Sequence, residues 1–376
     1  MRPKKSCGNT TSTTSSPAIL PVFIPHLGCP HACIFCNQHH IASQPAPPSP
    51  ARVAQMLEDY LSACRLPGRP VEVAFYGGSF TALPPAMQRA YLQAVAPLRE
   101  RGRVTALRVS TRPDAVTRQG LELLRGYGVT TVELGLQSMD DGVLARAGRG
   151  CTASRAWEAA RLVRETGLRL GVQLMAGLPG DSRETCRRSA RAAVAMGADL
   201  ARLYPLLVVR DTPLGRLWEQ GRYQPLSLQQ AVEVTADMFE ILEAGGVRVI
   251  RCGLQATPGL EGRSLLAGPF HPAFGEMVHA EVFMRQARWA LRASQWQGPL
   301  QLRVPPRELS RAVGLKGANR AALGALLGHP VEVVGDPGLR AGSLALAVPG
   351  EAGPRVQVSR EDYYQTAAVA ADGGNG

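Results

Sequence analysis

The sequence predicts an α/β fold, a partial and open (β/α)6 barrel followed by a small α+β appendage. Three observations carry this. Short apolar stretches alternate with amphipathic ones six times up to residue 208, the pattern of parallel βαβ units. The residues with chemical potential fall just after the ends of those apolar stretches, the face on which such folds place their sites. After Thr212 the alternation gives way to longer helical and then short mixed segments. Six units, rather than eight, leave a barrel unclosed.

Taken in order, residues 19–24 read as the first strand, and residues 50–64 as a helix that Ser49 and Pro50 start well. Residues 71–75 form the second strand, ending in Tyr76-Gly77-Gly78-Ser79-Phe80, and Pro84 and Pro85 open a helix to about residue 101. The unit repeats with strand 104–109, loop 110–114 and a helix to 127, then strand 129–136 and helices from Asp140 and Thr152. Strand 168–175, loop 177–181, a helix to 196 and strand 200–208 complete the six. Beyond Thr212 come a short helix near Leu217, a helix over 227–244, a strand over 247–251, a Gly/Pro-rich crossing after 259 and a helix over 276–291. The segments 300–304, 305–313, 319–327, 331–334 and 344–348 suggest a small α+β unit. The expected division is a disordered polar tail over 1–16, the core and its C-terminal extension over 17–291, the small module over 292–366 and a disordered tail over 367–376.

A chain of 376 residues can bury a full core. No apolar run approaches a bilayer span, and the Ser/Thr-rich start lacks the apolar stretch of a secretory signal, so no membrane contact and a cytoplasmic location are expected. Eight cysteines in a chain of this length are no disulfide framework. Net charge is +12 and pI about 9.8, compatible with a polyanionic partner such as RNA. Lysine occurs only at Lys4, Lys5 and Lys316, so the basic charge is nearly all arginine, which a GC-rich coding sequence also produces.

Cys29, Cys33 and Cys36 stand in CxxxCxxC spacing after the first strand. Three thiolates this close can hold three corners of a [4Fe–4S] cube and leave one iron open to a small ligand. A structural zinc loop, with His31, His39 or His40 as fourth ligand, is the alternative, although zinc loops usually present their ligands as two separated pairs. Cys7, Cys64, Cys151, Cys186 and Cys252 are isolated and read as core or neutral positions.

Gly77 and Gly78, with Ser79, follow a strand where removal of Cβ lets a backbone approach a ligand closely. Gln137 and Ser138 end the fourth strand with polar groups suited to a ribose or methionyl ligand, or Gln137 caps the next helix. Arg149, between Gly148 and Gly150, offers a planar fork for a carboxylate. In Ser110-Thr111-Arg112-Pro113-Asp114, Arg112 suits a carboxylate or phosphate, while Asp114 suits a helix cap.

The cysteine loop, with Phe35 before its third cysteine, resembles the signature loop of radical S-adenosylmethionine (SAM) enzymes. That resemblance implies a TIM-like barrel of the radical SAM type, a [4Fe–4S] cluster and SAM as cofactors, and reductive cleavage of SAM to a 5′-deoxyadenosyl radical. It further implies that Gly77, Gly78 and Ser79 match the loop that holds the SAM amino group. Gln173, Gly177 and Pro179 match a loop against its adenosine. Over residues 22–285 the chain is similar to the radical SAM domain of the elongator catalytic subunit family, which modifies wobble uridine in tRNA. The motifs are Gly77-Gly78-Ser79-Phe80, Thr111-Arg112-Pro113-Asp114, Glu133 to Ser138, Arg149-Gly150, Leu203-Tyr204-Pro205 to Val208, Leu217-Trp218 and Gly221-Arg222-Tyr223. The chain departs from that family in a tighter first cysteine spacing, and it is expected to lack the acetyltransferase domain.

The expectation is therefore a radical SAM enzyme acting on a nucleoside in tRNA or rRNA, supplied with electrons by a flavodoxin or ferredoxin. Cys29, Cys33 and Cys36 are the expected cluster ligands. Gly77, Gly78, Ser79, Ser110, Arg112, Gln137, Arg149, Gln173, Gly177 and Tyr204 are expected around SAM, with Ser110, Arg112 and Tyr204 bordering SAM or substrate. Arg251, Gln255 and His271 are expected substrate contacts. Two alternatives remain open from the sequence: a small metabolite substrate of the porphyrinogen type, and an iron–sulfur RNA sensor without turnover.

Overall fold

In the computed structural model, residues 17–29, 33–37, 46–63, 69–255 and 264–372 are described. Seven parallel strands form one sheet in the order of the chain, β1 (Ala18–Phe23), β2 (Val71–Tyr76), β3 (Ala106–Thr111), β4 (Val129–Gln137), β5 (Arg169–Ala176), β6 (Leu200–Pro205) and, after an excursion, β8 (Arg248–Cys252). Each strand pairs with the next in parallel, so the sheet curls in one direction as an open barrel. The count is seven rather than six. The stretch expected as a strand outside the barrel, near residues 247–251, joins the edge of β6. The stretch expected as one strand over 200–208 stops at Pro205, and β7 (Val208–Val209) turns away to pair with β9 (Leu265–Ala267).

The helices that follow the strands are α1 (Pro50–Ala63), α2 (Pro85–Gln93), α3 (Ala96–Glu100), α4 (Arg118–Gly126), α5 (Asp141–Arg146), α6 (Ala153–Glu165), α7 (Arg183–Ala195), α8 (Pro213–Glu219) and α9 (Leu228–Ala244). Side-chain oxygens of Thr117, Asp140, Thr152, Ser182, Thr212 and Ser227 accept from backbone N–H groups and start six of them. Asp140 caps α5 and Thr117 caps α4, so neither Gln137 nor Asp114 has the capping role open to it in the sequence.

Alternation along the strands divides the sheet. Leu20, Val22, Val73, Phe75, Leu107, Val109, Val132, Leu134, Val172 and Leu203 face the helices and form the main core. The opposite parity, Glu72, Arg108, Glu133, Gln173 and Arg202, lines the concave face.

Helix α10 (Phe274–Ala293) serves two cores. Its first half gives Phe274, Val278 and Val282 to the main core, and its second half gives Phe283, Met284, Ala287, Ala290 and Leu291 to that of the C-terminal module. That module holds β10 (Leu300–Val304), α11 (Leu309–Val313), α12 (Ala318–Leu327), β11 (Val331–Gly335), β12 (Leu344–Ala347), β13 (Val356–Val358) and α13 (Arg360–Asp372). Its four-stranded sheet runs β11-β10-β12-β13. Helix α13 continues to Asp372 into the stretch expected to be disordered, where alanine-rich sequence favours helix. The polar tail over 1–16 and the last residues, 373–376, lie outside the described residues.

Candidate functional site at the mouth of the barrel

The mouth is built from the loops at the C-terminal ends of β1 to β5, and hydrogen bonds join each to the next. The Ser79 amide donates to Leu27 O (2.9 Å), tying the loop after β2 to the turn after β1. Gly78 must be glycine, because a Cβ there would stand 2.3 Å from Leu27 O and 2.8 Å from Ile24 O. Gly77 has φ +96°, a conformation that glycine takes without strain. Ser79 is fully buried, its Oγ 3.1 Å from Thr111 Oγ1 and accepting from the Arg112 amide at 3.2 Å. Its hydroxyl is thus engaged by Thr111 and Arg112, its amide by Leu27 O and its carbonyl by the Ala82 amide.

From that loop Arg112 reaches across. Its Nε donates to Asp114 Oδ1 (2.9 Å) and Nη2 to Asp114 Oδ2 (3.0 Å), while Nη1 points at Cys33 Sγ (3.7 Å). The fork expected to hold a carboxylate or phosphate is therefore already filled by a carboxylate two residues on. Arg112 Nη2 also donates to Arg149 O. Arg149 in turn directs Nη1 to Cys33 Sγ (3.4 Å) and Nη2 to Gly135 O. Both arginines are almost fully buried. Arg149 Nε is buried without a partner among the described residues, a donor that a ligand atom would satisfy.

Cys33 is buried, Cys29 and Cys36 are half-buried, and none of the three is in a disulfide. Burial, then the neighbouring Cys33, pushes the Cys29 thiol up, while Arg112 and Arg149 pull it down. Among the described residues no three His, Cys, Asp or Glu side chains gather closely enough to enclose one metal ion. His31, His39 and His40, the expected fourth ligands for zinc, lie outside the described residues. The donor set suits a cluster: three thiols at the mouth of a sheet, with two buried guanidinium groups aimed at the sulfur of one of them.

Beyond Arg149 the polar lining continues. A bulge at Gly135 and Gln137 ends β4, and Gln137 holds φ +69°. Its Oε1 accepts from Gln173 Nε2 (3.2 Å). A Cβ on Gly135 would meet Gln137 Nε2 at 2.9 Å and Arg149 Nη2 at 3.1 Å, so that glycine makes room for both. Gly177, with φ +90°, has both backbone groups engaged. Its N–H donates to Asp181 Oδ2 (3.2 Å), and its carbonyl accepts from Tyr223 Oη (2.6 Å). These bonds fix its loop, and the carbonyl keeps a second lone pair. Cys186 donates to the same Asp181 (3.0 Å), and burial first pushes its thiol far up, as for an inert core position.

Below the mouth lies a charged ladder that sequence reasoning missed. Arg108 donates to both oxygens of Glu72 (3.0 and 2.7 Å) and to Glu133. Arg202 donates to Glu133 (3.0 Å) and to Tyr76 Oη, and its guanidinium lies 4.7 Å from the Tyr76 ring centre. Burial opposes the Arg108 charge, but the Glu72 hydrogen bond and the Glu133 charge more than offset it and raise its pKa. Burial and then Glu133 raise the Tyr76 phenol, so it stays protonated. One signal was available: single charged residues at alternate positions inside otherwise apolar strands, as in Val71-Glu72-Val73 and Leu107-Arg108-Val109.

Of the other expected residues, Ser110 Oγ lies 3.5 Å from Glu133 Oε2 at the ladder's upper end, and Tyr204 bonds Arg202. Arg251 sits in register with Arg202 on the edge strand. Gln255 is exposed, and His271 Nδ1 accepts from the Ala273 amide (3.0 Å) in the turn that starts α10.

Comparison with known proteins bears on the family and the fold. The radical SAM superfamily model matches residues 23–193, and the model of the Radical_SAM C-terminal domain matches residues 198–284. The chain is 30% identical over 254 residues to the tRNA uridine(34) acetyltransferase of Dehalococcoides mccartyi, covering 59% of this chain and 55% of that one. It is 28% identical to protein YhcC of Escherichia coli over 55% of this chain and 66% of the relative. The solved archaeal Elp3 of Methanocaldococcus infernus, lacking its N-terminus, superposes with a TM-score of 0.58 at 23% identity, over 73% of this chain and 64% of that one, which bears on the fold. The chain spans between a quarter and about half (25% to 55%) of the length of the first three curated relatives.

Proposed function

The chain belongs to the radical SAM superfamily, whose cofactors are a [4Fe–4S] cluster and SAM, and on that premise we propose that it modifies a nucleoside in tRNA or rRNA. Cys29, Cys33 and Cys36 would hold the cluster. Bound together, cluster and SAM supply a one-electron cleavage that yields a carbon radical able to take hydrogen from a substrate. The observation that carries the reading is the pair of buried guanidinium groups of Arg112 and Arg149 on Cys33 Sγ, beside an unpartnered Arg149 N–H.

The chain's own residues divide the work. Arg112 and Arg149 offset the negative charge that three thiolates bring to a buried place, and Asp114 keeps Arg112 in position. The backbones of Gly77 and Gly78 and the amides of Gln137 and Gln173 would meet the amino acid and ribose parts of SAM. Arg149 Nε would meet a SAM oxygen. The ladder of Glu72, Arg108, Glu133 and Arg202 would form the floor with satisfied charges, and Tyr76, Tyr204 and Arg251 would border a flat, polar base. An arginine-rich surface suits phosphate contacts. The electrons would come from a flavodoxin or ferredoxin.

The test has two parts. Anaerobically reconstituted protein, reduced in the presence of SAM, is expected to release 5′-deoxyadenosine. Nucleosides from total RNA of strains with and without the gene are then compared by mass spectrometry. A nucleoside missing without the gene and restored by the wild-type chain, but not by Cys33→Ala, is the expected result. Unchanged nucleosides would sink the RNA reading, and a changed small metabolite would replace it.

A further inference from the structure

The C-terminal module lies beyond the segments that carry the radical chemistry, and it has its own sequence signature. Strand β10, helix α11, the loop Gly314-Leu315-Lys316-Gly317, helix α12 and strand β11 follow one another in that order. The two strands pair in parallel, Leu300 with Val331 through Val304 with Gly335. Strand β11 is the edge of its sheet. Two helices joined by a Gly-x-x-Gly turn between two strands are the arrangement with which KH domains clamp about four nucleotides of a single strand.

The loop is built for close approach from outside. Gly314, Lys316 and Gly317 have φ of +75°, +52° and +81°, so three of its four residues are left-handed. Gly314 is closed from within, since a Cβ there would stand 2.7 Å from the Asn319 amide nitrogen. Gly317 is open. Among the described residues, only Arg320 Nη2 comes within 4 Å of a Cβ placed there, at 3.8 Å. Asn319 Nδ2 donates to Ala280 O (2.9 Å) and Arg311 O (3.0 Å), which fixes the turn against α10 and α11 before any ligand arrives.

The charges agree. Lys316 is the only lysine among the described residues of an arginine-rich chain, and it stands at the tip of this turn. Lys316, Arg320 and Arg307 are exposed, and none of their side chains has a hydrogen-bond or ion-pair partner among the described residues. Most arginines on α6 and α7 are instead paired with acids. Leu315 is 53% exposed beside Lys316, an apolar contact for a base or sugar next to the cation for its phosphate.

We infer that the Gly314–Gly317 turn, with Lys316 and Arg320, grips the sugar–phosphate backbone of single-stranded RNA, so that the chain holds RNA through this module as well as through the barrel mouth. This goes beyond the proposed reaction and does not depend on turnover.

The test uses the full-length protein and a fluorescein-labelled, mixed-sequence single-stranded RNA of about ten nucleotides, read by anisotropy at fixed salt. The double variant Leu315→Asp, Lys316→Asp changes two exposed side chains, and aspartate tolerates the left-handed backbone at 316. It is expected to keep its melting temperature, its iron content and its RNA-independent SAM cleavage, and to bind the strand at least about tenfold more weakly. Arg320→Ala is expected to weaken binding about threefold and to lower the slope of binding against salt. Variants that bind within about twofold of wild type would overturn the inference, as would tighter binding of duplex RNA or of the matching DNA strand. Loss of RNA binding with SAM cleavage intact speaks to this module, whereas absent nucleoside modification with binding intact speaks to the proposed reaction.

Discussion

Replacing Arg149 by Gln should make the cluster harder to reduce. Arg149 Nη1 stands 3.4 Å from Cys33 Sγ and is almost fully buried, so its charge acts with little screening. An added electron spreads over the cube, whose centre lies beyond the sulfur. At about 6 Å and an effective dielectric of about 20, one unit charge is worth about 3 kcal/mol. For a single electron, with 59 mV to each tenfold change, that corresponds to about 120 mV as an upper bound. Glutamine keeps a weaker donor, so a shift of about 50–100 mV toward negative potential is expected. Arg112→Gln should shift the potential further, because it also frees the Asp114 carboxylate that Arg112 now holds at 2.9 Å. The measurement is an EPR-monitored redox titration of anaerobically reconstituted wild type and variants at matched iron content. Potentials within about 20 mV of wild type for both variants, or a positive shift, would refute the reasoning.

Gly78→Ala puts a methyl carbon against two backbone carbonyls that cannot swing away, at 2.3 and 2.8 Å. It should cost about 2–4 kcal/mol in urea unfolding and lower iron uptake, whereas Gly126→Ala, with no atom within 4 Å, should be neutral or slightly stabilising. His279 packs edge-on to Phe239 at 5.0 Å, and burial, reinforced by Arg311, lowers its pKa to about 4. A depressed histidine contributes stability above the unfolded value of about 6.5 that is lost as pH falls toward the folded value, so midpoints should decline across that window by up to about 3 kcal/mol. His279→Gln should flatten that slope, and an unchanged slope would assign it elsewhere. Arg285 donates to Asp237, Glu240 and Glu281, each at 2.8 Å, and joins α9 to α10. Arg285→Met should destabilise by about 3 kcal/mol by leaving two buried carboxylates short of a partner, and an unfolding midpoint equal to wild type would contradict this.

Much of the barrel was legible because a buried parallel strand between turn signals announces itself, and because reactive residues cluster after strand ends. What periodicity reports is the face of a residue, not its partner. Glu72, Arg108, Glu133 and Arg202 each look like an isolated charge in the sequence, yet they meet across four strands. Arg112 looked free for a ligand carboxylate because sequence spacing does not reveal that Asp114 turns back onto it. Ser79 and Gly177 were read as ligand contacts for the same reason, and their polar groups are largely taken up by Thr111, Arg112, Asp181 and Tyr223. The seventh strand was visible as a strand but not as part of the sheet, since the excursion through α8 and α9 hides its neighbour.

The internal use of these groups decides how the mouth can work. From Leu27 through Ser79, Thr111, Arg112, Cys33 and Arg149 to Gly135, the loops after the first four strands are joined by direct hydrogen bonds. At the bulge that ends β4, Gln137 extends the line to Gln173 on β5. A site that had to order these loops on binding would lose affinity to their conformational entropy. Here the loops are already tied: Gly78 is where the chain crosses itself too closely for a Cβ, and Gly135 leaves room for the Gln137 and Arg149 side chains. The donor that this belt leaves unused, Arg149 Nε, is therefore held in a fixed direction. A ligand that fails to meet it leaves a buried N–H without a partner, at a cost of about 1–3 kcal/mol. Selection for a ligand with an acceptor at that point thus follows from the packing of the loops and requires no movement of the chain.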